Sequence, residues 1–139
     1  MVKILYDLDQ QIAILTNDLH EKYGLHLKAT VRNEFHYIEA LLTDTSYPYG
    51  KDWMPHMSFA IYFAQNKVVL KSLRLPKELQ NKGIGTHCFN WLINLCKQYD
   101  IQQIEGEAVK GSQGFWKKKG CEETPQKTIY ALHEKSSNR

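Results

Sequence analysis

Residues 80–86 have the sequence QNKGIGT and join two segments of different character. Residues 68–75 before them are apolar and typical of a strand, and residues 84–99 after them are amphipathic and typical of a helix. A glycine-bearing loop between a strand and a helix brings backbone N–H groups together at the positive end of the helix dipole. Gly83 and Gly85 favour this arrangement, because a side chain there would hold an anion away from the backbone. The stretch therefore predicts a phosphate-binding loop.

Two common phosphate-binding motifs do not fit this loop. A Walker loop has a lysine and then a hydroxyl residue after its last glycine, whereas Lys82 precedes Gly83. A dinucleotide-binding fingerprint needs a third glycine at position 88, which is Cys88. The remaining pattern, Q/R-x-x-G-x-G/A, resembles motif A of the GNAT acyltransferase superfamily, in which this loop holds the pyrophosphate of acetyl-CoA.

A second stretch strengthens the resemblance. Residues 114–121, GFWKKKGC, are similar to the later F-Y-x-K-x-G-F motif of the same superfamily. The two motifs and the strand between them cover roughly the second half of the chain, whereas the first half resembles the family only in the order of its elements. The family often begins with a strand before its first helix, and no such strand is evident here.

Hydrophobic periodicity and turn residues predict the other elements. Their order predicts an α/β (α+β) fold in one GNAT-like domain, residues 1–133, followed by a polar tail, residues 134–139. The sheet is expected to be mixed and mostly antiparallel, with a central parallel β-α-β crossover and flanking helices. The predicted helices are 4–23, 84–99 and 111–119; the predicted strands are 25–30, 36–43, 57–63, 67–75, 101–109, 121–123 and 127–133.

Composition narrows the classes of function. The chain has 139 residues, which suits one domain, and 42% hydrophobic residues, which can supply a core. The net charge of +3 favours a polyanionic ligand but is too small to indicate nucleic acid. The three cysteines form no C-x-x-C pair, which argues against a disulfide scaffold or a metal site. With neither a signal peptide nor a long apolar stretch, we expect a cytoplasmic protein without membrane contact.

The resemblance implies a role for each motif residue. Backbone groups of strand 71–75 would pair with the pantetheine arm of acetyl-CoA, and loop 80–86 would hold the pyrophosphate with added charge from Lys82. Lys118 stands where the second motif carries its lysine, near the adenosine end. The implied cofactor-binding residues are Leu73, Leu75, Gln80, Lys82, Gly83, Ile84, Gly85, Thr86 and Lys118.

The catalytic residues are less well marked. The family often uses a tyrosine as the general acid in its second motif, but this chain has Trp116, whose indole N–H cannot deliver a proton at neutral pH. Glu105, Glu107, Tyr130 and Cys121 are candidate acids or bases, although spacing singles out none of them. Solvent could also serve both purposes.

Other residues that could reach an amine acceptor have two interpretations. His36 and His56 flank strands, where hydrogen-bonded or exposed histidines are more common than functional ones. Residues 47–53 carry three aromatics and could cover an acceptor or form a packed surface loop.

The favoured function is an N-acetyltransferase that moves an acetyl group from acetyl-CoA to a primary amine, on a small molecule or a protein. Transfer is expected to be direct, within a ternary complex, because bringing two substrates together supplies much of the acceleration. The alternative is a non-catalytic acyl-CoA-binding or interaction module on the same fold. A nucleic-acid binder ranks last, because the lysines are scattered. The chain is expected to be a monomer or a homodimer.

Overall fold

The computed structural model describes the backbone of residues 2–47, 54–107, 122–123 and 129–133, and the side chains of residues 7–47 and 54–106. Within these ranges the chain forms two α-helices, α1 (Val2–Tyr23) and α2 (Ile84–Gln98), with short 3₁₀ turns at Phe63–Gln65 and Lys77–Leu79. The strands are β1 (Lys28–Asn33), β2 (Ile38–Thr43), β3 (His56–Tyr62), β4 (Lys67–Arg74), β5 (Gln103–Glu107), β6 (Glu122–Glu123) and β7 (Ile129–His133).

These strands form one sheet in the order β1-β2-β3-β4-β5-β7-β6. Strands β1 to β4 are antiparallel neighbours, as are β5, β7 and β6. Strands β4 and β5 are parallel, and α2 forms the crossover between them. The predicted mixed sheet with a central parallel crossover is therefore confirmed.

The hydrophobic core lies between one face of the sheet and the two helices. The buried positions of α1 recur at helical spacing, and the buried positions of the strands alternate. The core residues are Leu8, Ile12, Leu15 and Leu19 of α1; Ile38, Ala40, Leu42, Met57, Phe59, Ile61, Val68, Leu70 and Ile104 of the sheet; and Ile84, Cys88, Phe89, Leu92, Leu95 and Cys96 of α2.

Helices α1 and α2 contact each other on this face. The Trp91 indole donates a hydrogen bond to the Gln11 carbonyl at 3.1 Å, and its ring meets Phe59 edge-on at 5.6 Å. The Nε2 atom of His87 on α2 lies 3.9 Å from the Asp18 carboxylate on α1. Cys88 and Cys96 are buried thiols of α2.

Strand β1 begins and ends later than predicted. Residues 25–27 form the connection from α1 to β1. Leu25 packs in the core, and the His26 amide donates to the Asp44 side chain instead of to a neighbouring strand. Arg32 and Asn33, predicted to lie in the turn, pair with β2, and the turn follows them. Among the described residues, the first strand follows α1 and lies at the edge of the sheet.

The end of α2 explains why β5 starts late. Asp100 has a φ of 57°, and the Ile101 amide donates to the Cys96 carbonyl at 2.8 Å. This is the hydrogen-bond pattern of a Schellman motif, with aspartate in place of the usual glycine. Ile101 therefore belongs to the helix end, and the strand begins at Gln103. The predicted helix 111–119 and tail 134–139 lie outside the described residues.

Candidate functional site

The loop before α2 has a conformation suited to binding an anion. Asn81 and Gly83 have φ values of 63° and 93°, with Lys82 between them. An alternation of this kind turns successive N–H groups toward one point and forms an anion-binding concavity. Gly83 is also the N-cap of α2 and makes no side-chain cap hydrogen bond. The first-turn N–H groups therefore receive no acceptor from the N-cap residue, as at phosphate-binding helix termini.

Protein contacts hold the loop in place. The Gln80 side-chain amide donates to the Leu75 carbonyl at 3.0 Å and closes the segment between β4 and α2. Leu79 and Ile84 are buried on either side of the exposed tip. The side chains of Gln80 and Ile84 thus support the fold, and these positions have backbone groups to offer a ligand.

The backbone conformation of Gly83 is a second reason for glycine at this position. Its positive φ favours glycine, and a Cβ atom at this position would lie 3.4 Å from the Tyr23 hydroxyl. Tyr23 at the end of α1 therefore lies beside the loop, although no motif marked it. Gly85 does not share the positive φ. Its predicted role, close approach of the backbone to an anion, remains a prediction.

Lys82 is the cation at the tip of the loop. It is exposed, and no ion pair involves it within the part of the chain that the structure describes. Its ammonium group is therefore available to a ligand. Thr86 lies in the first turn of α2 and is partly exposed.

A notch opens in the sheet close to this loop. The parallel pairing of β4 with β5 runs from Lys67 opposite Gln103 to Leu70 opposite Gly106 and goes no further. Beyond that point β4 stays with β3, whereas β5 stays with β7. Within the described residues, the two central strands therefore part after Leu70 and Gly106. The edge of β4 from Lys71 to Leu73 has no partner in the described part of β5.

A β-bulge accounts for the parting. Phe59 of β3 pairs with Leu70 and Ser58 pairs with Ser72, so that Lys71 is an extra residue in β4. Such an insertion increases local twist and bends the strand, which takes it away from its neighbour.

Ser72 is the residue that sequence reasoning missed at this notch. Its hydroxyl oxygen is buried and has no hydrogen-bond partner among the described residues. A buried hydroxyl without a partner costs free energy, about 1–3 kcal/mol, and calls for an explanation. A ligand in the notch would supply one.

Leu73 and Leu75 pack against the core and line a small apolar cavity with Ile84 and Cys88. Any contact with a ligand at these two positions therefore involves their backbone, in keeping with the expectation. Burial raises the pKa of the Cys88 thiol to about 12, so it is not a nucleophile at neutral pH.

The two described carboxylates beside the notch are already paired. Glu105 accepts a hydrogen bond from Gln103 at 2.6 Å and lies 3.4 Å from the Lys67 ammonium. Glu39 lies 2.6 Å from the Lys71 ammonium, whose hydrogen bond is the main cause that lowers the pKa of Glu39. Neither carboxylate is a free general base.

The other catalytic candidates are placed only by their backbone or not at all. Tyr130 of β7 pairs with Gly106, the last β5 residue in the parallel ladder, and Glu107 pairs with Ile129. Their side chains lie outside the described part of the structure, as do Trp116, Lys118, Cys121 and most of the aromatic loop, residues 48–53.

His56 is the histidine that the structure brings near the site. It pairs with Arg74 at the C-terminal end of β4, and its Nδ1 lies 3.1 Å from the Thr43 hydroxyl. Burial, with a smaller contribution from the Arg74 charge, lowers the pKa of His56, so the imidazole is neutral at pH 7. His36 lies in the turn before β2, at the opposite end of that strand, and is exposed.

The described residues contain neither a cluster of metal ligands nor a membrane-spanning helix. No group of three or more histidine, cysteine, aspartate or glutamate residues among them is arranged to hold a metal ion. None of the described helices is long and apolar enough to cross a membrane.

The fold is that of the GNAT acetyltransferases. It is similar to Tetrahymena Gcn5 at 17% identity and a TM-score of 0.53, over 96% of this chain and 88% of that one. A GNAT-family acetyltransferase from Staphylococcus aureus matches at 17% identity and a TM-score of 0.52, over 71% and 69% of the two chains. The ribosomal-protein-S18-alanine N-acetyltransferase from Escherichia coli matches at 14% identity and 0.51, over 73% and 71%. No protein-family model and no curated protein sequence matches the chain.

Proposed function

We propose that this protein transfers an acetyl group from acetyl-CoA to a primary amine within a ternary complex. The observation that carries the proposal is a notch in the described part of the sheet next to a helix N-terminus whose N-cap is Gly83. The helix N-terminus suits a diphosphate and the notch suits a thioester, so a single extended ligand can bind to both. Acetyl-CoA has this form and supplies an activated acetyl group.

The loop would bind the diphosphate through its backbone. The left-handed conformations of Asn81 and Gly83 turn N–H groups toward the ligand, and the dipole of α2 adds positive charge. Lys82 supplies the side-chain charge. The Tyr23 hydroxyl beside Gly83 is a further hydrogen-bond donor at this end.

The free edge of β4 would bind the pantetheine arm. An extended chain with amide groups can hydrogen-bond to an unpaired strand edge as an added strand does. Residues 71–73 provide that edge within the described structure, and the buried Ser72 hydroxyl provides a donor beside the thioester. In this position Ser72 would orient the reacting carbonyl.

Proton transfer would use a weak base or solvent. His56 is neutral at pH 7 and lies two residues from Ser58, the partner of Ser72. A neutral imidazole can accept the proton of an attacking amine. Holding both substrates in line can supply roughly 7–11 kcal/mol of the barrier, so a strong base is not required.

Ligand-induced thermal stabilisation tests the proposal. Acetyl-CoA at a hundredfold its Kd should raise the free energy of unfolding by about 2.7 kcal/mol. ATP and NAD are the controls, since each carries a pyrophosphate without a pantetheine thioester. A shift with ATP or NAD and none with acetyl-CoA would refute the assignment.

Replacing Ser72 by alanine separates its role in the site from its role in the fold. We expect no loss of stability in the free protein, because the variant removes a buried hydroxyl that has no partner. The value of kcat/KM should fall about tenfold, the equivalent of one hydrogen bond of about 1.4 kcal/mol. Ser58→Ala on the adjacent strand is the matched control and should retain activity. Equal activity of Ser72→Ala and the wild type would remove Ser72 from the site.

A non-catalytic acyl-CoA-binding module is the second candidate. The pairing of Glu105 with Lys67 and Gln103 favours it, because that pairing occupies a described carboxylate at the notch. A screen of diverse amines with detection of free coenzyme A thiol separates the two functions. Binding without turnover would support the module, whereas robust turnover of any amine would exclude it.

A further inference from the structure

Strand β1 leaves one edge of the sheet unpaired. It pairs with β2 on one side, and no strand among the described residues pairs with its other side. Most of its residues are exposed. A groove of about 520 Å³ runs along this edge beside α1. It is lined by Asp9, Ile12, Ala13 and Thr16 of α1 and by Leu27, Ala29, Val31 and Asn33.

The register of β1 shows which of its residues face the groove. Ala29 and Val31 lie opposite Leu42 and Ala40 of the core face, so they point to the side of the sheet that carries α1. Lys28, Thr30 and Arg32 point to the other side, opposite Thr43, Leu41 and Glu39. An unpaired strand with a half-apolar groove can accept another extended strand.

We propose that the occupant is β1 of a second copy of this chain, paired antiparallel about a two-fold axis at Val31. A two-fold axis perpendicular to the sheet keeps each face on its own side, so opposed residues must have the same parity. With the axis at Val31, Lys28 of each copy lies opposite Glu34 of the other, a carboxylate that follows β1 and also pairs with Arg32 of its own chain at 2.9 Å. Thr30 lies opposite Arg32, and Ala29 lies opposite Asn33.

Charge selects this register over its neighbours. An axis at Thr30 would place Lys28 opposite Arg32, and an axis at Arg32 would place the two Arg32 side chains opposite each other. Like charges directly opposed on adjacent strands are destabilising, whereas opposite charges contribute favourably. Of these three registers, the one at Val31 alone gives two opposite-charge pairs.

The same register accounts for an exposed aromatic residue. Phe35 follows β1 in the turn and is 94% exposed, the most exposed of the large hydrophobic residues described. In the proposed dimer, the turn that carries Phe35 of one copy lies near the connection that carries Leu27 of the other, at the end of the groove. Burying Phe35 there would remove a large apolar surface from water in both copies.

A charge-reversal experiment on the full chain tests the dimer. Sedimentation velocity over a range of concentrations should show a monomer–dimer equilibrium for the wild type. Lys28→Glu and Glu34→Lys should each weaken the dimer about tenfold, because each change turns two attractive pairs into two repulsive ones. Mixing the two variants should restore association, since the heterodimer regains both opposite-charge pairs. Phe35→Ala should also weaken the dimer.

The matched control is Lys97→Glu, which makes the same charge change at the exposed end of α2, outside the groove. It should leave the dimer unchanged. A wild type that stays monomeric at every concentration would overturn the proposal. A dimer whose Kd is unchanged by the charge reversals at Lys28 and Glu34 would also overturn the proposal.

Discussion

Replacing Lys82 by glutamate is expected to weaken acetyl-CoA binding roughly thirtyfold, or about 2 kcal/mol, from Coulomb interaction with a diphosphate at partly screened range. Lys82 is exposed at the tip of the loop and makes no ion pair among the described residues. Its replacement should therefore leave the free energy of unfolding of the free protein unchanged. Titration calorimetry with acetyl-CoA measures the effect.

Lys97→Glu controls for the change in net charge, because it lies at the other end of α2, about 20 Å away along the helix. Coenzyme affinity should be the same for this variant and for the wild type. The deficit of Lys82→Glu should shrink as salt rises, since salt screens exposed charges. Equal losses in the two variants would mean that Lys82 does not contact the diphosphate.

Gly83 is a poorer place to test the same idea. Its φ of 93° strains any other residue, and a Cβ atom there would lie 3.4 Å from the Tyr23 hydroxyl. A variant at Gly83 would thus lose stability, by about 1–2 kcal/mol for the left-handed conformation alone. Lost binding could then reflect the fold rather than the ligand.

Replacing Asp44 by alanine should lower the free energy of unfolding by about 3 kcal/mol, because each hydrogen bond to a charged group contributes about 1.5–3 kcal/mol. Asp44 is 1% exposed. Its carboxylate accepts from the His26 amide at 2.9 Å, the Ser46 amide at 3.0 Å and the Ser46 hydroxyl at 2.7 Å. These bonds join the start of β1 to the end of β2. Urea unfolding measures the loss as a lower midpoint.

The pH dependence of Asp44 gives a second measurement on the same residue. Burial alone would raise the pKa of Asp44, but the hydrogen bonds from His26 and Ser46 lower it below the ordinary value. The charge therefore stabilises the fold above the unfolded pKa of about 3.9, and this contribution is lost as pH falls through the folded pKa. Asp44→Asn should lack it.

An exposed carboxylate provides the control for both measurements. Asp18→Ala removes a side chain that is 52% exposed and should change stability by no more than about 0.5 kcal/mol. If Asp44→Ala were as stable as Asp18→Ala, the hydrogen bonds of Asp44 would not support the sheet.

The periodic segments were predictable because their burial follows their sequence spacing. Helices α1 and α2 and the hairpin of β3 and β4 are found where the sequence predicts them, apart from small differences at their ends. Phe89 is buried on the same face of α2 as Leu92 and Cys96, beside Cys88. A helix that covers a sheet buries a wider face than a regular stripe indicates.

The features of the site that the sequence did not predict depend on contacts between segments distant in the chain. The bulge at Lys71 depends on the register with β3, and Ser72, whose hydroxyl is buried, comes directly after it in the chain. Tyr23 reaches the loop because α1 ends beside the start of α2. Aspartate and asparagine in left-handed conformations, Asp100 and Asn81, carry a weaker sequence signal than glycine does.

The short parallel ladder between β4 and β5 has a consequence for cooperativity. Within the described residues, its four residue pairs are the backbone pairing that joins the N-terminal meander to the C-terminal ribbon. A ligand bound where the ladder stops would contact both parts and add interactions between them. Ligand binding and the stability of the contact between the two parts are then thermodynamically linked. Any change that weakens the ladder should therefore also lower the affinity for the ligand.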